Sequence, residues 1–174
     1  MRLAKPWICR YRNPELPDFI IRPATAADSR ALGELGALLL RTHHGFDPHR
    51  FMAPGRNPEA GYGRFLASQI DSDDAAVFVA ERAGVVVGYV WTTLEGRSWK
   101  ELREACGFIE DVVVRDPERR GGVGTALMDE AMRWLKSRGA PRVVLWTAEK
   151  NPGAQQLFSR LGFRRTMIEM TREL

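Results

Sequence analysis

Apolar positions recur along this chain with two different periods, and the switches between them outline its elements. Residues 18–22, DFIIR, form a short apolar run closed by Pro23, which predicts a first strand. Thr25 followed by Asp28 has the spacing of a capping box. Leu32, Leu35 and Leu39 then recur at helical spacing beside Ala31 and Leu38, predicting an amphipathic helix that ends near Arg41. Residues 42–58, THHGFDPHRFMAPGRNP, carry no regular period and predict a loop or an irregular helix pair. Asn57-Pro58 supplies a cap and a first-turn proline for a second helix with Tyr62, Phe65, Leu66 and Ile70 on one face, and Gly61 and Gly63 weaken its first turns.

Two strand patterns follow, over residues 75–81 and 85–94, joined as a hairpin by Arg82-Ala83-Gly84, with Gly88 suggesting a bulge in the second. Residues 95–105 are polar apart from Trp99 and Leu102 and lead as a loop or short helix into a central strand that ends in Val112-Val113-Val114. From Thr125, the positions Leu127, Met128, Ala131, Trp134 and Leu135 mark a third helix, stopped by Gly139 and Pro141. Residues 143–146 read as a buried strand. Asn151-Pro152 starts a fourth helix that Gly162 ends, and a last strand is expected over residues 164–172. The order β, α, α, β, β, β, α, β, α, β implies a mixed α/β fold, a single domain over 18–174 with helices on both faces of its sheet. Residues 1–17 read as an arm that packs through Trp7, Ile8 and Tyr11.

The chain has 174 residues, 44% apolar and 28% charged, which suits one soluble domain with a sizeable core. Its net charge of +4 fits an anionic cofactor, yet the arginines are dispersed and form no dense block, so nucleic acid is not an expected partner. No apolar run reaches membrane-spanning length, and residues 1–17 lack the apolar centre of a secretion signal. Cys9 and Cys106 lie far apart and read as reduced thiols of a cytoplasmic protein. His43, His44 and His49 surround Asp47, but no second ligand cluster accompanies them, so a surface loop over the substrate is expected and no metal site.

The candidate chemistry lies in residues 108–127, FIEDVVVRDPERRGGVGTAL. A strand, a tight turn and a helix N-terminus follow one another. Glycines at 121, 122 and 124 let the backbone turn and let a ligand approach the unpaired amides of the helix start, where the macrodipole favours an anion. With Arg119 and Arg120 beside them, the amides form a cradle for a phosphate or pyrophosphate. A dinucleotide fingerprint would need glycine where Leu127 stands, and a P-loop would need a lysine that this turn lacks.

The remaining pattern, Arg119-x-x-Gly122-x-Gly124 after a strand carrying a carboxylate, resembles the acyl-CoA pyrophosphate loop of the GNAT superfamily of N-acyltransferases. The similarity extends to residues 19–28, FIIRPATAAD, to Val85-Val86-Val87-Gly88-Tyr89, and to Asn151, Ala154, Leu157 and Leu161-Gly162-Phe163. The element order is also that of the GNAT fold.

This resemblance implies acetyl-CoA as cosubstrate and N-acetyl transfer by direct attack of a primary amine of a small molecule or peptide, whose identity the sequence does not reveal. Backbone groups of Val112, Val113 and Val114 would pair with the pantetheine arm. The turn from Arg119 and Arg120 through Gly121, Gly122, Val123, Gly124 and Thr125 would hold the pyrophosphate, and Asn151 would contact the pantetheine while also capping its helix. Glu110, placed by two-residue alternation on the face of Val112 and Val114 with Asp111 opposite, is similar to the base of polyamine-type acetyltransferases. The Val112 amide would meet the oxyanion. Phe158 stands where many relatives carry a tyrosine that protonates the leaving thiolate. That departure leaves open an acyl-CoA-binding sensor or regulatory module of the same fold. Homodimers are common among such proteins, though no residue here specifies one.

Overall fold

In the computed structural model of the protein, residues 9–11 and 19–174 are described, so Trp7 and Ile8 lie outside the described residues. The arm contributes a strand, β1 (Cys9–Tyr11), paired antiparallel with β2 (Phe19–Pro23). Beyond β2, Thr25 and Asp28 form the expected capping box, with the Thr25 amide donating to Asp28 Oδ2 at 2.8 Å. The guanidinium of Arg22 grips both oxygens of the same carboxylate at 2.8 and 2.9 Å and holds Asp28 below the usual carboxylate range.

α1 (Ser29–Phe46) runs one turn further than its apolar period suggests. Thr42 Oγ1 donates to Leu38 O at 2.8 Å and His43 Nδ1 to Leu39 O at 3.0 Å, so polar side chains continue the helix past Arg41. It stops where Asp47 turns extended ahead of Pro48, a residue that disfavours helical geometry in the one before it. α2 (Pro58–Ile70) is capped by Asn57, whose side chain accepts from the Ala60 amide at 3.2 Å. Gly63 assists this helix instead of weakening it, because a Cβ there would stand 2.6 Å from Ser29 O, and its absence lets α2 cross closely over α1.

β3 (Ala75–Arg82) and β4 (Val85–Glu95) form the expected hairpin. Ala83 and Gly84 both have positive φ, 49° and 78°, the signature of a type I′ turn. A bulge interrupts this pair where Ala80 faces Gly88 and Glu81 faces Val86, one residue before the glycine that signalled it. β5 (Cys106–Val114) is followed by α3 (Val123–Ser137), β6 (Val143–Leu145) and α4 (Pro152–Arg160). The sheet order is β1-β2-β3-β4-β5-β6, antiparallel except for the parallel pair β5·β6.

Each face of the sheet has its own core. Leu32 and Leu35 of α1 and Leu66 of α2 meet Val77, Val79, Tyr89 and Val113 on one side. Val123, Leu127, Met128 and Leu135 of α3 and Phe158 of α4 meet Ile21, Phe78, Val90 and Ile109 on the other. Each fully buried leucine contributes about 1.5–3 kcal/mol.

Two expectations at the far end are corrected. Residues 143–146 are not a buried strand: β6 stops at Leu145, its residues are half-buried, and Trp146 is exposed. Residues 164–172 form no strand either. The Phe163 amide is fixed to Phe158 O at 3.0 Å, and the chain beyond it lies exposed, held by ion pairs from Arg165 to Glu149 and from Glu169 to Arg50 in place of a sheet ladder.

Candidate functional site

β5 is nine residues long, but only Gly107, Phe108 and Ile109 pair with β6. The two parallel strands then separate, which leaves one side of residues 110–114 without a neighbouring strand. Which backbone groups face that gap follows from the ladder. The Arg115 amide donates to Val87 O at 2.9 Å, so Gly88 and Val114 form a non-hydrogen-bonded pair and Tyr89 and Val113 a hydrogen-bonded one. Val113 therefore commits its backbone to β4, whereas Val112 and Val114 turn theirs toward the gap.

A second bulge sets this phase. Trp91 faces Asp111 and Thr92 faces Ile109, so Glu110 is the extra residue. Without it the outward-facing positions would run 107, 109, 111 and 113. With it they become 107, 109, 112 and 114. The same insertion corrects the side chains. Simple alternation places Glu110 with Val112 and Val114, which pack beneath α3. In the structure the Glu110 carboxylate accepts from Thr93 Oγ1 at 2.7 Å, and Thr93 shares its face with Tyr89 and Trp91, the face covered by α1 and α2. Asp111 occupies that face too, so both carboxylates stand on one side of the sheet.

Asp111 Oδ2 accepts from Tyr62 Oη on α2 at 2.7 Å and from Tyr89 Oη on β4 at 2.8 Å. Burial raises the pKa of Asp111, and the two hydroxyls and the nearby His43 oppose that rise. Burial likewise raises Glu110. The Thr93 hydroxyl works against it, while the charges of Glu95 and Asp111 push the same way as burial. Burial and Asp111 together lift both tyrosines well above the usual phenol range, so they remain neutral donors. Asp111, Tyr62, Tyr89 and Thr93 are the residues that sequence reasoning missed. Tyr62 reads there as one more apolar-face residue of a helix, and no pattern announces the bulge that turns Glu110 toward Thr93.

Below the gap the glycine turn has the form expected of it. Gly122, at φ 84°, is the residue before α3, and Arg120 before it is also left-handed at φ 65°. The first amide closed inside the helix is that of Ala126, onto Gly122 O at 3.0 Å, so those of Val123, Gly124 and Thr125 are free donors of the helix start. A Cβ on Gly122 would meet no atom within 4 Å, so its role is conformational. Gly124 differs, since its Cβ would lie 3.3 Å from Leu157 and 3.8 Å from Val114, and it lets α3 sit close to β5 and α4. Gly121 and Val123 are buried, and Thr125 is exposed. Arg119 folds back, with Nε donating to Val114 O at 3.1 Å and Nη1 paired with Asp116 at 2.7 Å, whereas Arg120 is exposed. Glu118, just before this turn, is paired with Arg82.

Asn151 caps α4, its Oδ1 accepting from the Ala154 amide at 3.2 Å. Phe158 is buried in the α3-side core, edge-on to Phe163 at 6.0 Å. His43 is occupied by Leu39 O, and His44 Nδ1 donates to Phe51 O at 3.1 Å. Among the described residues no group of histidine, cysteine and acidic side chains is arranged to hold a metal, and no helix is long and apolar enough to cross a membrane. Cys106 is a buried free thiol, raised by burial above its usual pKa, with Arg103 at 2.7 Å.

Comparison with known proteins bears on what such a site does. Residues 43–163 match the acetyltransferase (GNAT) family. A mycothiol acetyltransferase of Thermobispora bispora is 40% identical over 101 residues, which are 56% of this chain and 33% of that protein. An uncharacterized N-acetyltransferase of Methanocaldococcus jannaschii is 33% identical over 146 residues, 83% of this chain and 60% of that protein. The chain thus spans about a third and three fifths of these two relatives. Among solved structures, an aminoglycoside N-acetyltransferase in complex with CoA superposes with a TM-score of 0.71 at 19% identity, covering 94% of this chain and 99% of that one, which speaks for the fold.

Proposed function

The chain belongs to the acetyltransferase (GNAT) family, and from that premise we propose that it transfers an acetyl group from acetyl-CoA to a primary amine, with Glu110 as the general base. The observation that carries this reading is the gap beside residues 110–114, which runs from the free amides of α3 to a pair of carboxylates on the adjoining face. The donor set suits an acyl-CoA: free helix-start amides and the exposed Arg120 for the pyrophosphate, and the outward backbone groups of Val112 with the amide of Val114, whose carbonyl Arg119 already occupies, for the amide-bearing pantetheine arm. Gly122 leaves room for the approach. Asn151, whose Oδ1 is taken by the Ala154 amide, would offer its side-chain NH2 to the pantetheine.

When bound, acetyl-CoA supplies the thioester. Glu110 receives the proton that the acceptor ammonium must lose before its nitrogen can form the new C–N bond. Its raised pKa makes it a stronger proton acceptor than an ordinary carboxylate, nearer the range in which a base works at neutral pH. The Val112 amide, turned toward the gap, would donate to the thioester oxygen and favour the charge that develops there. The C–S bond breaks and the thiolate leaves without a proton from Phe158, which has none to give, and is protonated by water or another side chain. The acceptor is a small-molecule or peptide amine, and the names of similar proteins make mycothiol-related and aminoglycoside amines the first candidates to try.

Mixing the protein with acetyl-CoA and a panel of amines and following free CoA tests this directly. Glu110→Gln is expected to lower kcat by about 10²–10⁴-fold with CoA affinity retained, and full activity of that variant would remove the base assignment. A second reading, an acyl-CoA-binding sensor with little turnover, is favoured by the buried Phe158. It predicts calorimetric CoA binding without CoA release across the panel.

A further inference from the structure

We propose that the indole of Trp146 is a platform on which the acceptor's ring lies, so that the acceptor is an amino sugar and not an open-chain amine. This deepens the proposed N-acetyl transfer and rests on it. The face that Trp146 occupies follows from its neighbours. Val143 and Leu145 pack beneath α3, and alternation sends Val144 and Trp146 to the opposite face. A ring contact agrees: Trp146 and Phe108 meet edge to face with centroids 5.3 Å apart, and Phe108 stands directly opposite Thr93, whose hydroxyl donates to Glu110. Phe108 and Val144 are register partners across β5 and β6, and the pairing ends one residue later. Two residues beyond each of them come Glu110 and Trp146, the first side chains of that face past the point where the strands part. The carboxylate and the indole therefore flank the mouth of the gap from opposite sides.

Trp146 is 66% exposed, so most of this large apolar surface is open beside the proposed base. The loop that follows it is nevertheless fixed. Gln155 Nε2 donates to Ala148 O at 3.0 Å and to Glu149 O at 2.9 Å, and Lys150 Nζ donates to Phe46 O at 2.8 Å, tying the loop to the end of α1. The indole is thus held in place before a ligand arrives, and stacking on it loses little further freedom. The surroundings set what lies there. Glu110 and Asp111 call for a cation, which any amine supplies. The indole adds a flat apolar face, which the C–H side of a rigid ring covers at once, whereas a flexible chain must first be straightened and fixed. Further out on the same face Glu95, two residues after Thr93, is ion-paired with Arg103, whose guanidinium also binds Glu101 at 2.7 Å. Carboxylates and a guanidinium offer acceptors and donors for hydroxyl groups. An ammonium, an apolar ring face and ring hydroxyls occur together in an amino sugar.

The test compares glucosamine with 1,4-diaminobutane, which carries ammonium charge without a ring, using Trp146→Ala and Trp146→Phe. Both substitutions fall at an exposed side chain, and thermal melting checks that each variant is folded. The preference for glucosamine, read as the ratio of kcat/KM for the two amines, is expected to fall about 10–100-fold in Trp146→Ala, through KM more than kcat, and to be largely kept in Trp146→Phe. Calorimetric binding of glucosamine with CoA present should weaken by the same factor in Trp146→Ala, a readout that needs no turnover. A ratio and an affinity that survive Trp146→Ala would overturn the platform. So would tighter binding of 1,4-diaminobutane than of glucosamine by the unaltered chain. If neither amine releases CoA, the transfer reading fails, and the binding measurement still decides the role of Trp146.

Discussion

Glu110 and Asp111 are consecutive residues of one strand, yet their carboxyl groups lie on the same face of the sheet, one bound to Thr93 and the other to Tyr62 and Tyr89. A regular strand would send them to opposite faces. The bulge between Ile109 and Asp111 therefore brings two carboxyl groups together on one face of the sheet.

The first prediction concerns Thr93. Its hydroxyl bond lowers the pKa of Glu110 against the rise caused by burial and by Glu95 and Asp111. Thr93→Val removes that bond, so the Glu110 pKa rises further. A base works only when deprotonated, and the acidic limb of kcat/KM against pH should move to higher pH. An unmoved limb would argue against Glu110 as the titrating base.

Asp111 is expected to cost stability at neutral pH. Its pKa is raised in the folded state, so folded protein takes up a proton at a higher pH than unfolded chain does, and stability falls as pH rises through that interval. Asp111→Asn keeps an oxygen for Tyr62 and Tyr89 and removes the charge. Melting curves should show the variant more stable at pH 7–8, by about 2–4 °C for each kcal/mol gained. The advantage should shrink at a pH below both values, where Asp111 is itself protonated.

Gly36 governs Tyr62. A Cβ at position 36 would sit 2.1 Å from Tyr62 Cδ1, so Gly36→Ala must displace the ring that holds Asp111. Overpacking of this kind costs about 1–3 kcal/mol, readable by urea denaturation. Tyr62→Phe keeps the ring and removes only its hydroxyl, so it should cost less and separate the packing effect from the lost hydrogen bond.

Arg82 and Glu118 join the β3–β4 hairpin to the residues before the glycine turn, with side chains 10% and 22% exposed. Arg82 also stacks over Phe19 at 5.5 Å. Arg82→Met strands the Glu118 charge and should destabilise by about 3 kcal/mol, whereas Arg82→Met with Glu118→Gln should recover much of that loss. A double-mutant cycle with no coupling would show that the pair is incidental.

Much of the fold was legible because it is local. Asn57 and Asn151, each just before a proline, cap their helices as that pairing suggests, Ala83-Gly84 turns the hairpin, and Gly122 takes the left-handed conformation before α3. The site was legible in its parts and misread in its phase. Alternation put Glu110 on the face of Val112 and Val114, the wrong one, because it assumes an unbroken ladder and the extra residue exists only relative to β4. The end of α1 was misplaced for a similar reason. Its last turn follows polar side-chain bonds and not apolar period.

The sequence by itself determined the succession of helices and strands, the glycine turn and the two cap-and-proline starts, since each depends on side chains within a few positions of one another. Tertiary structure alone decided that Glu110 bulges, that Asp111 is clasped by tyrosines from α2 and β4, and that residues 164–172 form no strand on the outer edge of β6. A strand's register, and even its existence, is a property of the surface it pairs with, and that surface is assembled from residues far away in the chain.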